Sequence, residues 1–147
     1  MVRSIIVEDE IMARKALERL CSRQSEIEVV ATFENAESAL EWLDQNPDSV
    51  DLLFLDVEMP GMSGIDFLAQ APLISAVIFT TSNTDYAIDA FEHRATDFLK
   101  KPIAPPRFEA AVAKAFDELR PKPGASGGAA FGQTAPGELF VREDGRY

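Results

Sequence analysis

Short apolar runs alternate with helical stripes along most of this chain, and that rhythm limits the folds open to it. Strand-like runs occupy 2–7, 27–33, 51–56, 76–81 and 96–100. Between and after them, apolar residues recur at helical spacing over 10–22, 36–43, 64–71, 84–92 and from about 106 onward. Ala13, Ala16, Leu17, Leu20 and Cys21 share one helical face; Phe108, Ala111, Val112, Ala115 and Leu119 share another. Strands that alternate with helices predict a doubly wound parallel sheet covered on both faces. Residues 1–120 fill that scheme with short loops.

The third strand is the most telling. "DLLFLDVEMPG", Asp51 to Gly61, drives an unbroken apolar run up to Asp56 and stops in a Met-Pro-Gly turn. Such a run is a strand buried on both faces. In open α/β sheets, ligands sit just beyond the carboxyl ends of the strands. Other strand ends carry polar groups too: Glu8-Asp9 after the first, Thr80-Thr81-Ser82 at the fourth, Lys100-Lys101-Pro102 at the fifth. Carboxylates crowded at one rim repel each other, and a hard cation such as Mg²⁺ relieves the repulsion. A lysine and a hydroxyl aimed at the same spot suit a phosphoryl group, and a carboxylate is a competent nucleophile toward phosphorus. Taken singly, each residue has a plainer reading. Asp9 or Thr81 fits a helix N-cap, and Lys101 fits a solvated lysine.

The formal net charge of −11 belongs entirely to residues 1–120, because charges cancel within 121–147. Such a domain repels DNA and anionic membranes. No apolar run approaches the roughly 20 residues of a membrane span. The single cysteine, Cys21, excludes an internal disulfide and suits the cytoplasm; its place on an apolar helix face makes it a structural thiol. His93 reads as a helix-end or solvated histidine, Met59 and Met62 as packing around the turn, and Trp42 as lying between core and solvent without an expected partner.

The sequence resembles the receiver domain of bacterial two-component response regulators. "IIVEDE", "LLFLDVEMPGMSGIDFL", "VIFTTS" and "DFLKKPI" carry the likeness across nearly all of 1–120. The resemblance implies a flavodoxin-like sheet of order 2-1-3-4-5. It makes Asp56 the phosphoacceptor for a sensor histidine kinase. It makes Asp9 a direct Mg²⁺ ligand, Glu8 a ligand through water, and the backbone carbonyl of Glu58 another ligand. Thr81 and Lys101 would hold the phosphoryl oxygens, Thr81 and Phe98 would switch together, and the Lys101-Pro102 peptide would be cis. The face spanning roughly 84–119, with Tyr86 and Phe91, would dimerise on phosphorylation. In this family the domain is a switch that assists its own phosphotransfer, not an enzyme with turnover.

Within that family the likeness is to the LytTR (LytR/AlgR-type) regulators, with Tyr86, Ala87, Ala90, Phe91 and Asp97 where those receivers have them. Ser82 replaces the commoner alanine, and Ala104-Pro105-Pro106 stiffens the start of the last helix. Residues 121–137, "PKPGASGGAAFGQTAPG", have linker composition, and 138–147, "ELFVREDGRY", read as the opening of a LytTR DNA-binding domain whose remainder does not follow. DNA binding would then require that domain. A stand-alone receiver acting by protein contact is the alternative. A receiver unable to take phosphate is disfavoured, since no acidic or switch position is missing. A haloacid dehalogenase-type phosphatase is disfavoured as well, because it needs Asp-x-Asp where this chain has Asp56-Val57-Glu58.

Overall fold

The structure, a computed structural model, describes residues 1–83 and 95–120. The expected helix over 84–92, His93, the linker at 121–137 and the segment 138–147 lie outside the described residues. In chain order the elements are β1 (Val2–Val7), α1 (Ile11–Ser22), β2 (Ile27–Phe33), α2 (Ala36–Gln45), β3 (Leu52–Asp56), α3 (Gly64–Gln70), β4 (Ala76–Thr81), β5 (Asp97–Lys100) and α4 (Pro105–Leu119). The five strands form one parallel sheet in the order β2-β1-β3-β4-β5.

Strand side chains alternate between faces, and here each face has its own core. Ile5, Val7, Leu53, Leu55, Val77 and Phe79 meet α2 and α3 through Ala39, Leu43, Phe67 and Leu68. Ile6, Leu52, Phe54, Ala76, Ile78 and Leu99 meet α1 and α4 through Leu17, Leu20, Phe108, Ala111 and Ala115. Phe54 stacks on Phe108 with ring centroids 5.8 Å apart. Trp42, for which the sequence offers no partner, packs against Phe33 at 5.8 Å in a tilted arrangement. β3 is buried at every position, so the apolar run up to Asp56 is the middle of the sheet. No helix among the described residues is long and apolar enough to cross a membrane.

The helix starts follow local chemistry. Asn35 caps α2 by accepting from the Ser38 amide at 2.8 Å, and Ser63 caps α3 by accepting from the Asp66 amide at 3.1 Å. Pro105 and Pro106 occupy the first turn of α4, where an amide proton has no helical partner to lose. Glu10, not Asp9, sits at the cap position of α1, and its side chain makes no capping bond. Asp9 is therefore left for another role.

Cys21 is buried in the α1 face. Burial, with a smaller push from Glu18, raises its thiol to about 12. The thiolate is the reactive form. Thiol reagents are therefore expected to modify the folded chain no faster than it unfolds. Labelling followed along a urea series checks this: the rate should climb with the unfolded fraction, and fast labelling in native buffer would contradict it.

Candidate functional site

Alternation decides which side chains gather at the carboxyl rim. Above Ile6, Phe54, Ile78 and Leu99, on the face covered by α1 and α4, the next inward positions are Glu8, Asp56, Thr80 and Lys101. Glu8, Asp56 and Thr80 have no solvent exposure. Asp9 joins them from the start of the β1–α1 turn. Glu8, Asp9 and Asp56 each offer a carboxylate oxygen, all within 4.8 Å of one another.

Lys101 is the counter-ion of this layer. Its Nζ lies 2.9 Å from Glu8 Oε2, 3.0 Å from Glu10 Oε1 and 3.2 Å from Asp56 Oδ2. Burial opposes its charge, but the Glu8 and Glu10 carboxylates outweigh that and raise its pKa. Glu8 is well supplied with donors: Thr80 Oγ1 donates to Oε1 at 3.1 Å, and the Glu10 amide donates to Oε2 at 3.2 Å, beside Lys101. Asp56 is less satisfied. The Glu58 amide donates to its Oδ1 at 3.1 Å, while Oδ2 and Asp9 Oδ1 are buried with no hydrogen-bond partner among the described residues. The 3.2 Å approach of Lys101 to Oδ2 is an ion pair without hydrogen-bond alignment. Burial first, then the Asp9 and Glu8 carboxyls, pushes the Asp56 carboxyl up to about 8, with Lys101 pulling the other way.

Two orphaned acidic oxygens facing a third carboxylate are an unfinished coordination shell. Buried polar atoms are normally satisfied, and oxygen donors in small number suit Mg²⁺, which retains waters in its remaining positions. The donor set fits that ion.

The other sequence-selected residues lie around this layer. Thr81 sits on the opposite face of β4. Its hydroxyl accepts from the Asn83 amide at 3.0 Å and reaches Glu58 Oε1 at 3.4 Å. Ser82 Oγ also donates to Glu58 Oε1, at 3.1 Å, so the Glu58 side chain ties the turn after β3 to the end of β4. Phe98 is half-buried and packs on the α2–α3 side of the sheet. The Lys101–Pro102 peptide is cis. Three participants were not singled out from sequence: Thr80 as a partner of Glu8, Glu10 as a partner of Lys101, and the Glu58 side chain. The Thr80-Thr81 doublet does signal a hydroxyl on each face, but not which hydroxyl meets an acid.

The response regulator receiver domain family matches residues 5–113. The chain belongs to that family. Among similar proteins, Sensory transduction protein LytT of Bacillus subtilis is 37% identical over 118 residues, covering 78% of this chain and 48% of LytT. Transcriptional regulatory protein BtsR of Escherichia coli is 36% identical over 121 residues, covering 80% of this chain and 49% of BtsR. The receiver thus spans about half the length of the curated relatives it matches. Among solved structures, the response regulatory domain of mrkE from Klebsiella pneumoniae superposes with a TM-score of 0.69 at 29% identity, covering 79% of this chain and 96% of that one. A receiver domain from Clostridium thermocellum gives 0.68 at 26% identity, covering 81% and 97%. The receiver of a two-component response regulator is a regulatory module, and the five-stranded sheet here is its flavodoxin-like fold.

One glycine holds the receiver's acid in place. A Cβ on Gly64 would lie 2.5 Å from the Asp56 carbonyl oxygen and 3.1 Å from Val57 Cα, both backbone atoms that cannot step aside. The Gly64 amide also donates to the Val57 carbonyl at 2.9 Å. Gly64→Ala is expected to cost on the order of 1–3 kcal/mol of stability. It should also displace the Asp56 backbone. Urea unfolding measures the first effect, and unchanged stability would show that α3 can retreat without penalty.

Proposed function

We propose that Asp56 accepts a phosphoryl group from a sensor histidine kinase in a Mg²⁺-dependent reaction. The observation that carries this reading is the Glu8–Asp9–Asp56 cluster with its two orphaned oxygens beside Lys101. Asp9, Asp56 and the Glu58 backbone carbonyl would hold Mg²⁺, with Glu8 acting through water. Held there, Mg²⁺ would offset the charge of the crowded acids and of the incoming phosphoryl oxygens. An Asp56 carboxylate oxygen attacks phosphorus, the P–N bond to the kinase histidine breaks, and the bonding pair leaves on that nitrogen. Lys101 is already at the acid and needs only to share its charge with the new oxyanion. Ile11 and Met12, 55% and 79% exposed, border an apolar groove with Pro102 and Ile103 beside Lys101, a surface suited to a protein donor.

The response would run through Thr81. Drawn toward the phosphoryl oxygens, its hydroxyl leaves Glu58 and Asn83, and Phe98 turns into the space it vacates. The face spanning 84–119 then favours homodimerisation. The finer family reading is LytTR-type. Residues 1–120 would be the receiver, 121–137 a flexible linker and 138–147 the start of a DNA-binding domain, so that a cytoplasmic, full-length protein regulates transcription. Similarity to LytT and BtsR supports this. A stand-alone receiver that signals by protein contact remains the second reading.

Intact-mass analysis after incubation with acetyl phosphate tests the central step. One phosphoryl group per chain is expected with Mg²⁺ and essentially none in EDTA. Equal labelling in both would remove the metal from the reading.

A further inference from the structure

Two adjacent hydroxyls end β4, and the sheet sends them to opposite faces. Thr81 goes to Asn83 and Glu58. Thr80 points into the carboxylate layer, where it is wholly buried and donates to Glu8 Oε1 at 3.1 Å. We propose that Thr80 is a positioning residue for Glu8, fixing its carboxylate so that it serves the cation site at Asp9 and Asp56. This rests on the reading of that cluster as the Mg²⁺ site.

Three features lead there. First, glutamate has one more rotatable bond than aspartate, so a glutamate beside a metal needs an additional anchor to present a single oxygen geometry. Second, the anchors of Glu8 are divided by oxygen. Oε2 takes the Glu10 amide and Lys101, and both of these also attend to the exposed end of α1 or to other acids. Oε1 takes Thr80, which comes from the sheet itself. The bond spans β1 to β4 across β3, directly beside Asp56, which pairs with Thr80 in register. Third, the layer beneath is apolar: Ile6, Phe54, Ile78 and Leu99 offer Glu8 no other donor. Without the Thr80 hydroxyl, Oε1 would be buried and unsatisfied, and the carboxylate would turn to find another partner. Residues that orient metal-site carboxylates in this way typically change metal affinity ten- to hundred-fold when lost.

The test measures Mg²⁺ affinity by calorimetry in wild type, Thr80→Val, Thr80→Ser and Asp9→Asn, with urea unfolding to confirm that each is folded. Thr80→Val keeps the branched shape and loses the hydroxyl; it is expected to weaken Mg²⁺ by about ten-fold. Thr80→Ser restores the hydroxyl and should bind nearly as wild type. Acetyl phosphate labelling of Thr80→Val should slow at low Mg²⁺ and recover at saturating Mg²⁺, a split that a general packing defect would not produce. In a Glu8→Asp background, where the shorter acid falls short of Thr80, Thr80→Val should have no further effect. Equal affinities for wild type and Thr80→Val, or equal losses in the valine and serine variants, would overturn the proposal while leaving the metal site intact. Undiminished binding by Asp9→Asn would instead overturn the metal-site reading, and the role of Thr80 with it.

Discussion

Asp56→Asn is expected to take no phosphoryl group from acetyl phosphate under conditions that label the wild type to completion. Three carboxylates share the site, but they are not equivalent nucleophiles. Glu8 has both oxygens engaged, by Thr80 on one side and by Lys101 and the Glu10 amide on the other. Asp9 has a free oxygen but makes no ion pair with Lys101. Asp56 alone combines an oxygen without a hydrogen bond, an amide that fixes its other oxygen, and a cation 3.2 Å away to receive a phosphoryl oxyanion. An amide side chain removes the nucleophile and preserves the shape. Asp9→Asn should still be labelled, only more slowly. Peptide mapping after acetyl phosphate treatment checks both. A phosphoryl group on Glu8 or Asp9 in the Asp56→Asn variant would show that the site tolerates a different acceptor.

The sequence announces β3 and its acid because the signal there is local. Five consecutive buried positions leave an unbroken apolar run, and the turn that follows has Gly61 at φ 84°. Strand edges are less legible. Asp51 lies just outside β3, where its carboxylate accepts from the Arg3 amide, and Thr96 lies just outside β5, where its hydroxyl bonds Val77 and Glu118. The charge network around Lys101 is legible only in part. Glu8 and Glu10 lie 93 and 91 positions away along the chain and Asp56 is also remote, and which of them it meets depends on strand order and side-chain face, not on any local pattern. The same holds for Asp97, buried at the foot of β5. Burial would raise its carboxyl, but two bonds from Arg107 and the Lys114 charge outweigh that and hold it below the usual range. No spacing rule places an arginine of the last helix on that acid. Thr80 shows the limit most clearly: a doublet of threonines states that hydroxyls are present, and only the register with Asp56 says which one meets Glu8.

Replacing Lys101 should produce a large stability change, and a pH-dependent one. Lys101→Met keeps the apolar stem and removes the charge from between two fully buried acids. Breaking a buried pair from one side costs on the order of 3 kcal/mol or more. The exposed Glu10 adds little to that. The sign of the pH dependence follows from Asp56. Its carboxyl is held at about 8 in the folded chain, whereas an unfolded aspartate titrates at about 4. Across that interval the folded state binds the proton more tightly, so stability falls as pH rises and levels off above the folded value. Lys101 opposes this by favouring the carboxylate. Without it the Asp56 carboxyl rises further, and the decline continues to higher pH. The gap between wild type and Lys101→Met, measured by urea unfolding in EDTA, should therefore stay nearly level up to about pH 7 and widen from about pH 8 upward. Below the folded value the Asp56 carboxyl is neutral, and Lys101 has little charge to neutralise on it. Mg²⁺ should narrow the gap at high pH, because a dication meets the same need as the lysine. A gap that stays constant past pH 8 would mean that Lys101 contributes packing rather than charge, and that Asp56 does not depend on it to ionise.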